Sequence, residues 1–243
     1  MGGIMTRRFG MGGTAPNGDP YWANVAVLCG FEGSDGSTSF VDESSYARTM
    51  TANGNAQIDT AQFKFGSSSL LLDGTGDFVS TPHAAEFVIG AGEFTVEAHV
   101  RVPSGEHLGS WTIVSQWSAT STIASWAFYQ NAGFLTFGFY DSGGTFRSQA
   151  ANAPPNADTQ THFAASRDAA GKIRLFKNGV YVNGGTRNET IRTATTDLRI
   201  GADTGGTAYD LNGHIDEFRF TPGVCRYDSD SGFTPPAAAY PRS

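Results

Sequence analysis

Apolar and polar residues alternate with a period of two along most of the chain, as in strands that bury one face. In FTVEAHVRV (94–102), apolar residues occupy the even-numbered positions and polar residues the odd-numbered positions. We therefore expect one face of this strand in the core and the other in contact with water or a ligand. The run VAVLCGF (25–31) is continuously apolar, which predicts a strand buried on both faces.

Turn motifs separate these runs. In SSLLLDGTGDFVSTP (68–82), Gly74 and Gly76 suit a tight reversal, which predicts a hairpin. Reversals at 168–171 and 178–179 divide 162–182 into three further strands. About twelve or thirteen strands at a spacing of about 8–15 residues, without a sustained helical period, predict an all-β, two-sheet antiparallel jelly-roll sandwich.

Composition changes at both ends of this pattern. Residues 1–20 contain six glycines and little apolar periodicity, which predicts a flexible basic N-terminal arm. The sandwich is assigned to 21–221. Residues 222–243 are proline-rich and are expected to lie across the sandwich, held by Val224, Tyr227 and Phe233; the alternative is a mobile tail.

Charge excludes some functions. The chain has 16 Lys and Arg against 23 Asp and Glu, a formal net charge of -7. This acidic balance argues against nucleic-acid binding, which needs clustered cations. No apolar run approaches the length of a membrane span, and the opening MGGIMTRRFGMGG lacks the apolar core of a secretion signal, so we expect a soluble protein without membrane insertion.

The order of strands and turns resembles that of laminin-G-like, concanavalin A-like lectin and glucanase domains. The matching stretches are VLCGFEG, SSLLLDGTGDFVSTP, EFTVEAHVRV, FAASRDAAGKIRLFKNGV and GHIDEFRFTPGVCRYDSDSGFTPPAAAYP. More narrowly, DPYWANVAVLCGFEG and IDEFRFTPGVCRY with FTPP look like the form of this domain found in tailed-bacteriophage virion proteins. The likeness spans roughly residues 19–241 and implies a jelly roll on the virion surface.

This resemblance implies a non-catalytic structural protein, either a capsid decoration or head spike or a tail-associated component. Its arm would bind other virion proteins, and the residues expected to anchor it are Ile4, Met5, Arg7, Arg8, Phe9 and Met11. A carbohydrate-binding module or adhesin that recognises host or environmental polysaccharide is the alternative. A glucanase-like hydrolase is a more distant third. Head or tail location, glycan identity and homo-oligomer formation stay open.

Catalytic motifs are missing from the sequence. A retaining glycosidase needs two carboxylates about 5 Å apart, but the neighbouring Asp216 and Glu217 should point to opposite faces of a strand. The Glu-x-Asp-x-x-Glu pattern of laminarinase-like enzymes is absent, as are a Gly-x-Ser-x-Gly elbow, a Walker loop and a His-Glu-x-x-His run. We expect a protein without enzymatic activity.

Candidate glycan-binding residues lie on the polar face of 94–102. Glu97, His99 and Arg101 combine a carboxylate, an imidazole and a guanidinium that suit sugar hydroxyls; the alternative is a solvated polar face. Tryptophans in strand-like runs are expected in the core rather than on a sugar-binding surface; these are Trp111, Trp117 and Trp126.

Asp216 alternates with Phe218 and Phe220, which places its carboxylate on the core side of a strand. A buried charge needs a partner. Glu32, at the end of the first strand, could join Asp216 around one structural Ca²⁺, which related jelly rolls often hold. The alternative partners of Asp216 are Arg219, Arg199 or turn amides. No other cofactor is expected.

Two cysteines are too few for a disulfide framework or a thiolate zinc site. Cys29 alternates with Val27 and Phe31, which favours a small buried side chain. A single Cys29–Cys225 bridge between the two ends of the chain is the alternative, and the sequence leaves it open.

Overall fold

Strands form nearly all of the regular structure of this chain. The computed structural model describes residues 18–119, 123–203 and 207–243, which form fifteen strands and three short 3₁₀ helices. The helices are Trp22–Asn24, Ala85–Phe87 and Thr207–Tyr209. The six residues expected to anchor the arm, from Ile4 to Met11, lie outside the described ranges.

One sheet has eight strands. They are β1 (Val27–Cys29), β3 (Gln57–Asp59), β4 (Ser69–Asp73), β6 (Phe94–Arg101), β11 (Thr161–Arg167), β12 (Lys172–Lys177), β13 (Val180–Thr186) and β15 (Asn212–Pro222). Their order is β13-β12-β11-β6-β15-β4-β3, and β1 pairs with the second half of β15. All of these pairs are antiparallel.

The other sheet has seven strands. They are β2 (Thr51–Asn53), β5 (Phe78–Thr81), β7 (Trp111–Gln116), β8 (Trp126–Asn131), β9 (Phe134–Tyr140), β10 (Phe146–Asn152) and β14 (Leu198–Ile200). Their order is β10-β9-β8-β7-β14-β5-β2, again antiparallel throughout. The predicted two-sheet antiparallel sandwich is thus confirmed.

The core lies between the inner faces of the two sheets. Aromatic contacts connect the layers: Phe94 of β6 stacks on Phe137 of β9 at 4.6 Å, and Trp126 of β8 lies tilted against Phe220 of β15 at 5.0 Å, measured between ring centroids. Cys29 is fully buried in this cluster, as its alternation predicts, and both Cys29 and Cys225 are free thiols. Burial raises the pKa of the Cys29 thiol, so it stays protonated.

The prediction of a hairpin at 68–82 is wrong. β4 belongs to the eight-stranded sheet and β5 to the seven-stranded sheet, so the glycine-rich connection crosses from one layer to the other. Gly74 and Gly76 do adopt positive φ, and the buried Asp77 carboxylate accepts the Asp73 amide proton across the loop at 2.9 Å. A tight glycine-containing loop can connect two strands of the same sheet or two strands of different sheets. The local sequence does not distinguish these two cases.

A β-bulge in β15 corrects the expected position of Asp216. Asp216 pairs with His99 and Arg219 with Glu97, so Glu217 and Phe218 together oppose the single residue between them. Glu217 takes up the extra residue with φ 50°. The bulge shifts the alternation by one position. Phe218 and Phe220 therefore face the core, whereas Asp216 lies on the outer face of the sheet with His99.

The C-terminal segment, residues 223–243, covers the outer face of the eight-stranded sheet. The rings of Tyr227 and Phe233 stack on each other at 3.5 Å and meet Phe176 of β12 edge-on. Tyr240 is 3% exposed. The backbone oxygen of Ser243 accepts the amide proton of Asp19 at 2.7 Å, so the two ends of the described chain meet on this side of the sandwich.

In the part of the chain that the structure describes, helical structure is limited to the three short 3₁₀ turns. Within the described ranges, no helix has the length and apolar character needed to cross a membrane.

Candidate functional site

Glu97 and His99 do not lie on a solvated face, so the expectation that this side of β6 meets water or a ligand is wrong. Their exposed fractions are 0% and 2%. The C-terminal segment covers Glu97, whose carboxylate accepts a hydrogen bond from the Tyr227 hydroxyl at 2.7 Å. The ring of Phe65 packs edge-on against His99, with 5.2 Å between the ring centroids. The sequence pattern identified the face correctly but carried no information about a later segment that covers it.

Glu97 is the centre of a buried ion network rather than a ligand-binding group. Arg219 donates two hydrogen bonds to one carboxylate oxygen, at 2.7 and 2.9 Å, and His162 contacts the other at 3.1 Å. Burial alone would raise the pKa of Glu97, but the charge of Arg219 and these hydrogen bonds hold it well below its usual range. Arg219 also pairs with Asp19 at 3.0 Å, which ties the start of the described chain to the same network.

Arg101 lies apart from this network at the end of β6. Its side chain is 20% exposed and pairs with the exposed Asp158 at 3.1 Å. The structure therefore separates the three residues proposed to bind glycan: Glu97 and His99 are buried, and Arg101 forms a surface ion pair.

Asp216 is held by turn amides, one of the alternatives that the sequence left open. Its Oδ2 accepts the backbone amide protons of Lys64 and Phe65 at 2.6 and 3.0 Å, while its Oδ1 is buried without a hydrogen bond in the described structure. Burial raises the pKa of Asp216 to about 7. Glu32 instead accepts hydrogen bonds from the amide and hydroxyl of Ser67.

Calcium binding by Glu32 and Asp216 stays a prediction. Across the described ranges, no three His, Cys, Asp or Glu side chains come together as a metal site. The residues fit the ion only in part: Asp216 offers one buried carboxylate oxygen without a hydrogen-bond partner among the described residues, while Glu32 is engaged by Ser67.

Among the tryptophans, Trp117 departs from the prediction of core burial. Trp111 and Trp126 are 1% and 0% exposed, as expected. Trp117 follows the last residue of β7 and lies half-buried on the outer face of the seven-stranded sheet. Its ring lies 5.2 Å from Tyr140 and 6.0 Å from Phe146, centroid to centroid.

Small side chains form a row across the outer face of this sheet. The cross-strand registers align one residue from each of four adjacent strands, namely Ser148, Gly138, Ala127 and Ser115. Because neighbouring residues along each strand point into the core, this row faces away from it. The row leaves a depression between larger side chains on either side.

Aromatic rings surround the depression and form a cleft of about 220 Å³, here called the aromatic cleft. It is lined by Thr112, Trp117, Ala127, Tyr129, Phe146, Asp203 and Tyr209. Tyr129 and Tyr209 meet edge-on at 5.9 Å between ring centroids. The absence of a side chain at Gly138 permits this packing, since a Cβ there would lie 3.0 Å from Phe146 and 3.2 Å from Tyr129.

The aromatic cleft has a polar side. Burial raises the pKa of the Tyr129 hydroxyl to about 12, with further contributions from Tyr209 and from the negative charge of Asp203. The phenol is therefore neutral and able to donate a hydrogen bond at physiological pH. The cleft thus combines four ring surfaces, hydroxyl groups and one carboxylate.

A second cavity, of about 570 Å³, opens where the β4–β5 connection leaves the sheet. Its polar lining includes Asn55, Asp73 and Asp77. Both carboxylates already accept backbone amide protons, Asp73 from Thr75 and Asp77 from Asn55 and Asp73, so they serve the loop. We regard the aromatic cleft as the better candidate for ligand binding.

Comparison with known proteins agrees with this architecture. A profile described as the concanavalin A-like lectin/glucanases superfamily matches residues 73–225. The chain belongs to this superfamily. The match covers the strands from β5 to β15, and the aromatic cleft lies within it. No curated protein matches the sequence.

Several solved structures that share this fold are described as binding domains. The binding domain of Paraclostridial Mosquitocidal Protein 1 superposes with a TM-score of 0.66 at 14% identity, covering 84% of this chain and 50% of that chain. The botulinum neurotoxin serotype D ligand binding domain in complex with N-acetylneuraminic acid superposes with a TM-score of 0.62 at 12% identity. The match covers 84% of this chain and 49% of that chain. The botulinum neurotoxin type G receptor binding domain superposes with a TM-score of 0.60 at 14% identity, and the match covers 83% of this chain and 48% of that chain. This chain spans about half the length of each.

The sequence contained a usable signal for the aromatic cleft that the pattern analysis missed. FLTFGFY (134–140) places Gly138 and Tyr140 at the outward positions of a strand whose inward positions are Phe137 and Phe139. A glycine inside a strand indicates close approach by another group. Here that group is a pair of rings from β8 and β10. Which rings approach could not be read from the sequence, because it requires the strand order.

Proposed function

We propose that this domain binds carbohydrate, with the aromatic cleft as its binding site. The supporting observation is the combination of four aromatic rings with Asp203 around one depression on the outer face of the seven-stranded sheet. Ring planes pack against the C–H faces of sugars, and carboxylates accept hydrogen bonds from sugar hydroxyls. The proposal also agrees with the lectins of the superfamily.

The size of the cleft limits how much of a glycan it encloses. Pockets for drug-sized ligands have volumes of about 300–1,000 Å³. At about 220 Å³, the aromatic cleft is smaller and suits about one sugar unit, with the rest of the glycan on the open sheet surface. We therefore expect weak binding per site that gains strength when many copies are displayed together.

The experiment is a glycan array probed with the full chain, followed by calorimetry on the best ligand. Replacing Trp117 with Ala should weaken binding at least about tenfold, because a central aromatic group contributes about 2 kcal/mol and 1.4 kcal/mol is tenfold in Kd. Phe63→Ala is the matched control, since Phe63 is an exposed aromatic residue outside the cleft lining. Equal affinity of the two variants would overturn the proposal.

We also infer that the domain is not catalytic. Hydrolysis of a glycosidic bond by a retaining or inverting enzyme requires a pair of carboxylates about 5–9.5 Å apart. Among the described residues that line the aromatic cleft, Asp203 is the single carboxylate. Incubation with β-glucans should yield no new reducing ends, and their appearance above a buffer control would refute the inference.

A second proposal concerns where the domain works. The resemblance of its terminal motifs to virion proteins of tailed bacteriophages supports a structural role on the surface of a phage particle. Asp19 lies on the outer side of the eight-stranded sheet, so the preceding residues join the domain opposite the aromatic cleft. An arm attached there would present the cleft outward. Deleting residues 2–18 should abolish incorporation into particles while the melting temperature of the domain stays unchanged; full incorporation would contradict this role.

A further inference from the structure

Aromatic rings close one end of the aromatic cleft. Tyr140 lies two residues beyond Gly138 on β9, and its ring contacts those of Trp117 and Phe146 at 5.2 and 5.6 Å between centroids. The rings of Trp117 and Phe146 also meet each other edge-on at 6.0 Å. A glycan in the cleft therefore meets three mutually packed rings at this end, and its chain leaves the cleft in another direction.

The opposite direction along β9 has small side chains next to the cleft. Leu135 and Phe137 lie in the core, so Thr136 and Phe134 occupy the outward positions toward the start of the strand. Thr136 pairs with Ala150 of β10, which shares this outer face. Thr136 and Ala150 therefore form a floor that leads from the cleft to Phe134.

Phe134 is an exposed ring between two amide side chains. It is 48% exposed, and its cross-strand partners are the exposed Asn131 of β8 and Asn152 of β10. Residues paired in this way have Cβ atoms about 4.5–5.5 Å apart on one face of the sheet. The Ser110 hydroxyl donates to Asn131 Oδ1 at 3.0 Å, which orients that amide. The group offers a ring for the C–H face of a sugar and amides for its hydroxyls.

A path across the strands is less suitable for a long glycan. The row of small residues leads from Ala127 through Ser115 to Arg199 of β14 on the same face. The guanidinium of Arg199 lies 4.5 Å from the centroid of the Phe78 ring. This long side chain therefore stands across the row, whereas the path along β9 passes over a threonine and an alanine.

We propose that the domain binds an extended oligosaccharide chain that runs along β9, with one sugar unit in the aromatic cleft and a more distant unit stacked on Phe134 between Asn131 and Asn152. This inference rests on the proposed function. Phe134 lies four residues from Gly138, or about 13 Å at about 3.3 Å per residue. The cleft encloses a single unit, so a ligand that contacts both places is a polysaccharide segment rather than a terminal sugar.

Calorimetry of the full chain with a length series tests the proposal. The series runs from the disaccharide to the hexasaccharide of the glycan that binds best on the array. The hexasaccharide should bind at least about fivefold more tightly than the disaccharide, because only the longer chain reaches the second ring. An affinity that does not change with length would overturn the proposal.

Variants assign the gain to Phe134, since a longer chain also offers more binding registers. Phe134→Ala should lower the ratio of hexasaccharide to disaccharide affinity about fivefold, whereas Phe134→Tyr keeps the ring and should retain the ratio. Phe63→Ala is the matched control, because Phe63 is similarly exposed, at 43%, and lies between β3 and β4 of the other sheet. A ratio that persists in Phe134→Ala, or that falls equally in Phe63→Ala, would contradict the proposal.

The outcomes separate this inference from the proposed function. If affinity does not grow with length and Trp117→Ala weakens binding of every oligosaccharide, the cleft binds a single sugar unit, and the inference alone fails. If the wild type binds no glycan on the array and no member of the series, the proposed function fails with it.

Discussion

Asp216 shows how one inserted residue changes the environment of a side chain. The alternation in IDEFRF placed its carboxylate toward the core, but the bulge at Glu217 turns it to the outer face, where turn amides hold it. Bulges leave no reliable mark in a single sequence, because the added residue need not be glycine. The need for a partner could be predicted, whereas the identity of that partner could not.

The raised pKa of Asp216 predicts a specific pH dependence. Unfolded aspartate has a pKa of about 3.9, and the folded value is about 7, so the folded state binds this proton more tightly. The contribution of Asp216 to the free energy of unfolding is therefore largest below about pH 4 and falls as the pH rises to 7. Asp216→Asn should match the wild type in melting temperature at pH 4 and exceed it at pH 8.

The same variant tests the calcium hypothesis. If Asp216 held a structural Ca²⁺, the Asn variant would melt lower than the wild type at pH 8, and chelator would lower the wild-type melting temperature. If amides alone hold the carboxylate, chelator should leave the wild-type melting temperature unchanged.

In contrast to Asp216→Asn, removing the charge of Glu97 should destabilise the folded protein, because the partner of Glu97 is a buried cation. Glu97→Gln leaves Arg219 buried with one fewer counter-charge, and breaking such a pair costs about 3–5 kcal/mol in the free energy of unfolding. Asp158→Asn is the control, since it breaks the exposed pair with Arg101 and should cost at most about 1 kcal/mol. Urea unfolding measures both. Equal losses would contradict the central role of Glu97.

At the scale of the elements, the hydrophobic periodicity predicted where the strands lie better than it predicted which strands pair with each other. β6, β11 and β12 follow the predicted pattern, and the turn at Asn178–Gly179 has both residues at positive φ, as a two-residue hairpin requires. The short strands β2 and β3 went unnoticed because three residues carry too little pattern. The assignment of β4 and β5 to different sheets depends on long-range pairing that local sequence does not encode.

The C-terminal segment acts as a cover for β6 and β11. The guanidinium of Arg219 lies 3.8 Å from the centroid of Tyr240, and Arg242 pairs with the buried Glu217 at 2.7 Å. Removing residues 240–243 would expose this network to water and leave Glu217 without that cation. In a domain of this size, 1 kcal/mol shifts the melting temperature by about 2–4 °C, so we expect a fall of about 10 °C.

Removing residues 2–17 is the control for this truncation, since the described contacts of Asp19 are retained. Its melting temperature should equal that of the full chain. A C-terminal truncation that melts like the full chain would show that the segment adds no stability.

At the scale of the whole molecule, the two outer faces have different roles. The C-terminal segment closes the face of the eight-stranded sheet, and the start of the described chain lies on the same side. The face of the seven-stranded sheet carries the aromatic cleft. The sequence predicted an outward binding surface but assigned it to the polar face of β6, because it could not show which sheet is covered.

Nuclear magnetic resonance of the tryptophan indole protons tests the carbohydrate site most directly. Titrating the labelled protein with its best glycan ligand should shift the Trp117 indole signal, while those of Trp111 and Trp126, which lie in the core, and of Trp22, on the opposite side, stay in place. A ligand that shifts Trp22 and leaves Trp117 unchanged would contradict binding at the aromatic cleft.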